Sequence, residues 1–158
     1  GLAVAEALQH RIQLHPLPDV DVLTATRGGF HLIDLLHDYA RAILIDCYTP
    51  PNPTPGRVRQ LELPLTAGVA RLINAHDISA AEAFQFAALL SIPMPAEVTI
   101  FAIEAADTET ISESMTPIVQ AAVDPLARHI HELLSSPTTP RPARPPAGVA
   151  GEACRRIR

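Results

Sequence analysis

Ala42-Ile43-Leu44-Ile45-Asp46-Cys47 is the stretch that decides the fold. Four apolar residues run without interruption into a carboxylate. They lack the polar/apolar alternation of a half-solvated strand. They read instead as a strand buried on both faces, the kind that parallel sheets use. Val98–Ile103 is a second such run, and Glu104 follows it directly. Helical segments surround both runs. Gly1–Gln13 is rich in Ala and Leu, and Phe30–Tyr39 places Phe30, Ile33 and Leu36 on one face. Ser79–Leu90 opens with Ser79-x-x-Glu82, a capping box. Thr116-Pro117 supplies an N-cap and a first-turn proline to a last helix that reaches about Leu134, with Pro125 expected to kink it. Val20–Ala25 reads as a short β-branched strand closed by the turn Thr26-Arg27-Gly28-Gly29, and Arg57–Leu63 as a more exposed strand. Tyr48–Gly56, with four prolines in nine residues, must be a loop.

Strands alternating with helices predict an α/β fold: a twisted, mostly parallel sheet of about five strands between helices. Such folds normally open on a strand, whereas this chain opens on a helix. The expectation is that a first strand and its turn precede Gly1 in the full protein.

Composition narrows the chemistry. The chain has 158 residues, 47% hydrophobic and 18% charged, enough for one folded domain and too apolar for a disordered one. All twelve cationic residues are Arg. The absence of Lys excludes Schiff-base chemistry, a P-loop lysine and a Ser–Lys dyad. Two distant cysteines, Cys47 and Cys154, exclude Cys₄ zinc and iron–sulfur sites. No Gly-x-Ser-x-Gly elbow is present, and Gly28-Gly29 falls short of a dinucleotide fingerprint. The charge is divided unevenly. Residues 1–134 carry seven Arg and sixteen Asp or Glu, a net of −9, while residues 135–158 carry five Arg and one Glu, a net of +4. The second stretch also holds five of the sixteen prolines and reads as a disordered tail behind a domain at 1–134. The acidic domain argues against a nucleic-acid partner. No run approaches the ~18 apolar residues of a membrane helix. A cytoplasmic monomer is the expectation.

In open parallel sheets ligands bind beyond the carboxyl ends of the strands. Three places qualify: the turn at Thr24–Gly29, Asp46 and Glu104. A carboxylate that ends a buried strand needs a cation, a proton or a hydrogen-bond network. Asp46 serves equally as a metal ligand or as the cap of the following turn. Glu104 is read first as a cap or as the support of an arginine. His76, in Asn74-Ala75-His76-Asp77 just before the capped helix, can be a surface histidine, or with Asp46 form two ligands of a mixed N/O metal site. No third ligand is evident in the chain. His129 and His131, two apart on a helix, face different directions.

Taken in order, these features resemble the nickel–iron hydrogenase maturation endopeptidases. The matching segments are Gly1–Leu8, Arg27–Leu36, Ala42–Cys47, Gly56-Arg57-Val58, Asn74–Asp77, Ile100–Glu104 and Met115-Thr116-Pro117. The resemblance covers about residues 1–134. It implies a twisted five-stranded sheet between helices and an enzyme that removes a short C-terminal peptide from a hydrogenase large-subunit precursor once nickel has been inserted. It implies that Asp46 and His76 are metal ligands that sense the precursor's nickel and do not hold a permanent ion. It assigns substrate recognition to the turn containing Thr24, Arg27, Gly28 and Gly29. The catalytic base is not implied.

Two departures stand out. The family's first ligand is an acidic residue in a Gly-Asn-x-x-x-x-Asp-[Asp/Glu]-Gly motif, and Gly1 resembles the end of that motif. The third ligand is therefore expected upstream of Gly1, and the 158-residue chain alone is expected to process little or no precursor. The usual Asp-Gly-Gly-Thr turn appears as Thr24-Ala25-Thr26-Arg27, without its acidic residue. The alternatives are a degenerate relative that binds the precursor without cutting it, and an unrelated α/β domain that binds a small anion or nucleotide near Thr26–Gly29.

Overall fold

The computed structural model describes residues 1–25, 29–62, 80–108, 110 and 114–136. Its elements are α1 (Leu2–Leu14), α2 (His31–Leu36), β1 (Arg41–Tyr48), β2 (Val58–Glu62), α3 (Ala80–Leu89), β3 (Glu97–Glu104) and α4 (Pro117–Ser135). The described strands form one sheet in the order β1-β3-β2. β1 and β3 pair in parallel from Arg41↔Glu97 to Tyr48↔Glu104. β2 pairs antiparallel with β3. An antiparallel edge strand on an otherwise parallel sheet is a common arrangement. The α/β architecture is thus the one the two apolar runs announce, with three strands among the described residues.

β3 is central, and its two faces carry different loads. On one face Phe101 and Ile103 pack with Val4 and Leu8 of α1 and with Val123, Leu126, Ala127 and Ile130 of α4, and Ile43 and Ile45 of β1 join them. On the other face Val98 and Ile100 pack with Ala42, Leu44, Leu61 and Phe84 of α3. Ile33 of α2 meets Ala83 and Ala87 of α3 in a neighbouring cluster. Small residues let α3 approach closely. It closes with Ser91 in the left-handed region, the Ile92 amide reaching the Ala87 carbonyl and the Ser91 amide the Ala88 carbonyl. That is a Schellman ending, sealed by the apolar contact of Ile92 with the Ala87 cluster.

Two local expectations change. The run at Val20–Ala25 forms no strand. Val22 instead packs against the α1/α4 cluster, and Tyr39 donates its hydroxyl to Asp21 at 2.8 Å. β-branched residues fit any half-buried surface, and pairing needs a neighbour that composition does not supply. β1 does not stop at Ile45 but continues to Tyr48, because its ladder with β3 runs on through Asp46, Cys47 and Tyr48. α4 continues on both sides of Pro125, which is exposed and offers no N–H to the Ala121 carbonyl. The capping box at Ser79 and the stretch 137–158 lie outside the described residues.

Candidate active site at the carboxyl end of the sheet

Side chains alternate along a strand, and residues paired across strands share a face. Leu44 packs on the α3 side of the sheet, so Asp46 and Tyr48, two and four residues on, share that side. Their register partners Ala102 and Glu104 do so too. Arg59 is paired with Ala102 from the opposite strand. One row across the sheet therefore reads Asp46, Ala102, Arg59, and the next row toward the carboxyl ends reads Tyr48, Glu104.

Asp46 is half-buried, and its Oδ1 accepts the Cys47 amide at 2.8 Å. One such bond is well below what a carboxylate can accept, so the group retains capacity for a cation. The backbone of Ile45 and Asp46 lies directly under Gly1, where a Cβ would collide with the Ile45 carbonyl. The start of α1 thus rests against the strand segment that carries Asp46, and only a glycine allows that approach.

Glu104 is the buried charge of this end of the sheet, 1% exposed. Its Oε2 accepts the Thr54 amide at 2.7 Å. Its Oε1 accepts Arg59 Nε at 2.7 Å and the Tyr48 hydroxyl at 3.4 Å. Its backbone extends the ladder with β2, with the Gly56 amide on its carbonyl and its own amide on the Arg57 carbonyl, each 2.8 Å. The reading of Glu104 as a loop cap and arginine support describes this geometry. The Thr54 amide and the Arg59 guanidinium hold its carboxyl below the usual range against the opposing effect of burial, and the Arg57 charge adds to them. Burial, then the Glu104 charge, pushes the Tyr48 phenol up. The bond to Glu104 likewise raises Arg59. The Pro-rich loop is fixed at its far end by Gly56 at φ 81°, whose missing side chain makes room for Ile118 of α4.

The other expected site residues are distributed unevenly. Thr24 is exposed on the unpaired 20–25 segment. Gly29 is buried at φ 64°, and its carbonyl accepts the Leu32 amide at 3.1 Å as α2 begins. Arg27, Gly28 and His76 lie outside the described residues. Among the described residues no three His, Cys, Asp or Glu side chains group into a metal site. His129 stands edge-on against Phe101, whereas His131 turns to the His15 carbonyl at 3.0 Å, so the pair diverges as expected. Arg59 and Tyr48 were not singled out by the sequence. The available signal was that Glu104 needed a cation, and Arg57 and Arg59 are cations on the nearest exposed strand.

An open α/β sheet that carries an accessible carboxylate at the carboxyl end of one strand and an arginine on the same face has the layout of a small hydrolase or binding domain. A family model described as hydrogenase maturation protease, HycI, matches residues 2–133, and the chain belongs to that family. Among solved structures, the hydrogenase maturating endopeptidase HybD from E. coli is similar at 22% identity and a TM-score of 0.54, covering 82% of this chain and 83% of its own, which supports the fold. The hydrogenase 2 maturation peptidase of a Thaumarchaeota archaeon aligns at 22% identity and a TM-score of 0.47, over 83% of this chain and 89% of its own. No curated protein matches the chain at a significant level. Membership of this family sets aside the unrelated small-ligand domain. No helix among the described residues is long and apolar enough to cross a membrane.

Proposed function

We propose that the protein is the endopeptidase that removes the C-terminal extension of a nickel–iron hydrogenase large-subunit precursor after nickel insertion. The observation that carries this reading is the family match across residues 2–133, together with a carboxylate of spare capacity, Asp46, at the carboxyl end of β1. The nickel is part of the substrate. It docks on Asp46 and His76, with a further acidic ligand, and brings the scissile peptide beside them. The turn with Thr24, Arg27, Gly28 and Gly29 contacts the precursor. Hydrolysis consumes one water: its oxygen joins the acyl carbon, the C–N bond breaks and the leaving amine takes a proton. The enzyme works in the cytoplasm as a monomer.

The test mixes the purified full-length protein with nickel-loaded precursor and follows release of the extension by mass spectrometry. Asp46→Ala is expected to slow release at least ~100-fold, because a metal ligand is lost. Its melting temperature should stay near that of the wild type, since among the described residues Asp46 bonds only its neighbour's amide. Cleavage by Asp46→Ala at the wild-type rate would overturn the proposal. A second reading rests on Thr24, which stands where relatives carry an acidic residue: the protein binds the precursor without cutting it. Tight precursor binding with no extension released under any nickel condition selects that reading.

A further inference from the structure

Arg59 has a feature that its pairing with Glu104 does not use up. Glu104 engages Nε, at 2.7 Å. Both carboxylate oxygens of Glu104 are then occupied, by Arg59 and Tyr48 on one side and by the Thr54 amide on the other. Tyr48 also shares the guanidinium with Glu104, and with five N–H donors an arginine keeps further donors beyond these two contacts for a planar acceptor. Its side chain is 46% exposed, while its anchor is 1% exposed. A half-exposed side chain held by Glu104 and Tyr48 suits a recognition arginine, because little rotamer freedom remains to be lost on binding. Charge favours an anion. Two arginines, Arg57 and Arg59, act on the single Glu104 carboxylate, and Arg57 is itself exposed.

Position connects this fork to the chemistry. Arg59 and Asp46 occupy opposite ends of one row, separated by Ala102. Two inter-strand spacings place their backbones roughly 9–10 Å apart, the length of about three residues of extended chain. We propose that Arg59 is a substrate-binding residue, whose remaining guanidinium donors take a carboxylate side chain of the peptide within about three residues of the bond cut at Asp46. Glu104 is the positioning residue that aims it. The identity of the peptide rests on the protease reading above, whereas the fork's preference for a carboxylate rests on the geometry alone.

The experiment uses two nickel-loaded precursors, one carrying the natural acidic peptide across the cleavage region and one an amide peptide in which every Asp and Glu within three residues of the scissile bond is Asn or Gln. For the wild type, the amide precursor is expected to show a KM about 10-fold or more higher with kcat little changed, the size of one charge-assisted bidentate contact. Arg59→Lys keeps the charge and loses the fork. It is expected to raise KM for the acidic precursor about 10-fold and to erase most of the difference between the two precursors. Glu104→Gln should weaken the discrimination partly, since the fork survives without its anchor. Discrimination unchanged in Arg59→Lys overturns the proposal. Should Arg59→Lys fail to fold, the wild type decides alone, because equal KM values for the two precursors at low and at high salt also overturn it. The same precursors, fluorescently labelled, are followed in parallel by polarisation. A wild-type preference for the acidic precursor without any cleavage would count against the protease reading and leave the carboxylate site standing.

Discussion

Replacing Phe101 with Ala is expected to lower the unfolding free energy by about 3–5 kcal/mol, the cost of truncating a core aromatic. Phe101 is 2% exposed in the central strand. It is the common contact of α1 and α4, touching the cluster of Val4, Leu8, Val123, Leu126, Ala127 and Ile130. His129 also closes on it edge-on, with ring centroids 5.8 Å apart. Removing the ring leaves a void bounded by two helices and a sheet, none of which can move inward without breaking its other contacts. The melting temperature should fall by roughly 10–20 °C for a domain of this size. Urea unfolding followed by circular dichroism measures the loss. A loss below about 1 kcal/mol would mean that the two helices do not share this core. Ile100 on the opposite face gives the contrast: Ile100→Val removes one methylene and should cost only about 0.5–1.5 kcal/mol.

Glu104→Ala is the second large effect, and it differs in kind because it depends on pH. The substitution frees the Thr54 amide and the Arg59 guanidinium, and it removes the acceptor of the Tyr48 hydroxyl. The loss comes from these charge-assisted bonds and from the void left by a side chain that is 1% exposed, since the freed Thr54 and Arg59 groups can reach water. The sign with pH follows from the carboxyl, which titrates below its ordinary 4.5 in the folded protein. Folding therefore favours the ionised form. Its stabilisation is complete above pH 4.5 and is lost as pH falls below 4.5 toward the folded-state value, because the unfolded chain takes up the proton first. Wild-type protein should accordingly lose stability between about pH 5 and pH 3, and Glu104→Gln should show a flatter curve over the same range. Urea midpoints measured at pH 7, 5, 4 and 3 provide the comparison. Parallel curves for the two proteins would show that Glu104 is not the group that titrates. At the alkaline end Tyr48 acts in the opposite sense. Its raised pKa favours the neutral phenol in the fold, so that contribution persists below pH 10 and is lost above it.

The elements legible in the sequence were those specified by local signals. The runs at Ala42–Ile45 and Val98–Ile103 are apolar on both faces because both faces are buried, and they became β1 and β3. Thr116-Pro117 marks the start of α4, where Pro117 opens the first turn and Thr116 holds the N-cap position without a side-chain capping bond. Non-local facts were not legible. Asp46 was read as a strand terminus, whereas the strand continues for two more residues through pairing with a segment 56 positions away. Val20–Ala25 has strand composition but is no strand among the described residues. The pairing of Glu104 with Arg59 could not be assigned, since it needs the antiparallel register of β2. Asp46 stands out by its position after an apolar run, and its role as a ligand comes from the family resemblance. Its expected companion His76 falls in the stretch 63–79, outside the described residues.

The partners of Glu104 lie 45, 50 and 56 residues from it along the chain. Closing loops of that length is entropically costly and goes unrewarded until both ladders of the sheet have formed. The Glu104 network is therefore complete only once β1, β2 and β3 have paired. The Thr54 amide reports on it directly. Its hydrogen exchange should be as slow as that of the central strand, and exchange as fast as that of a free loop would show that the network opens independently of the fold.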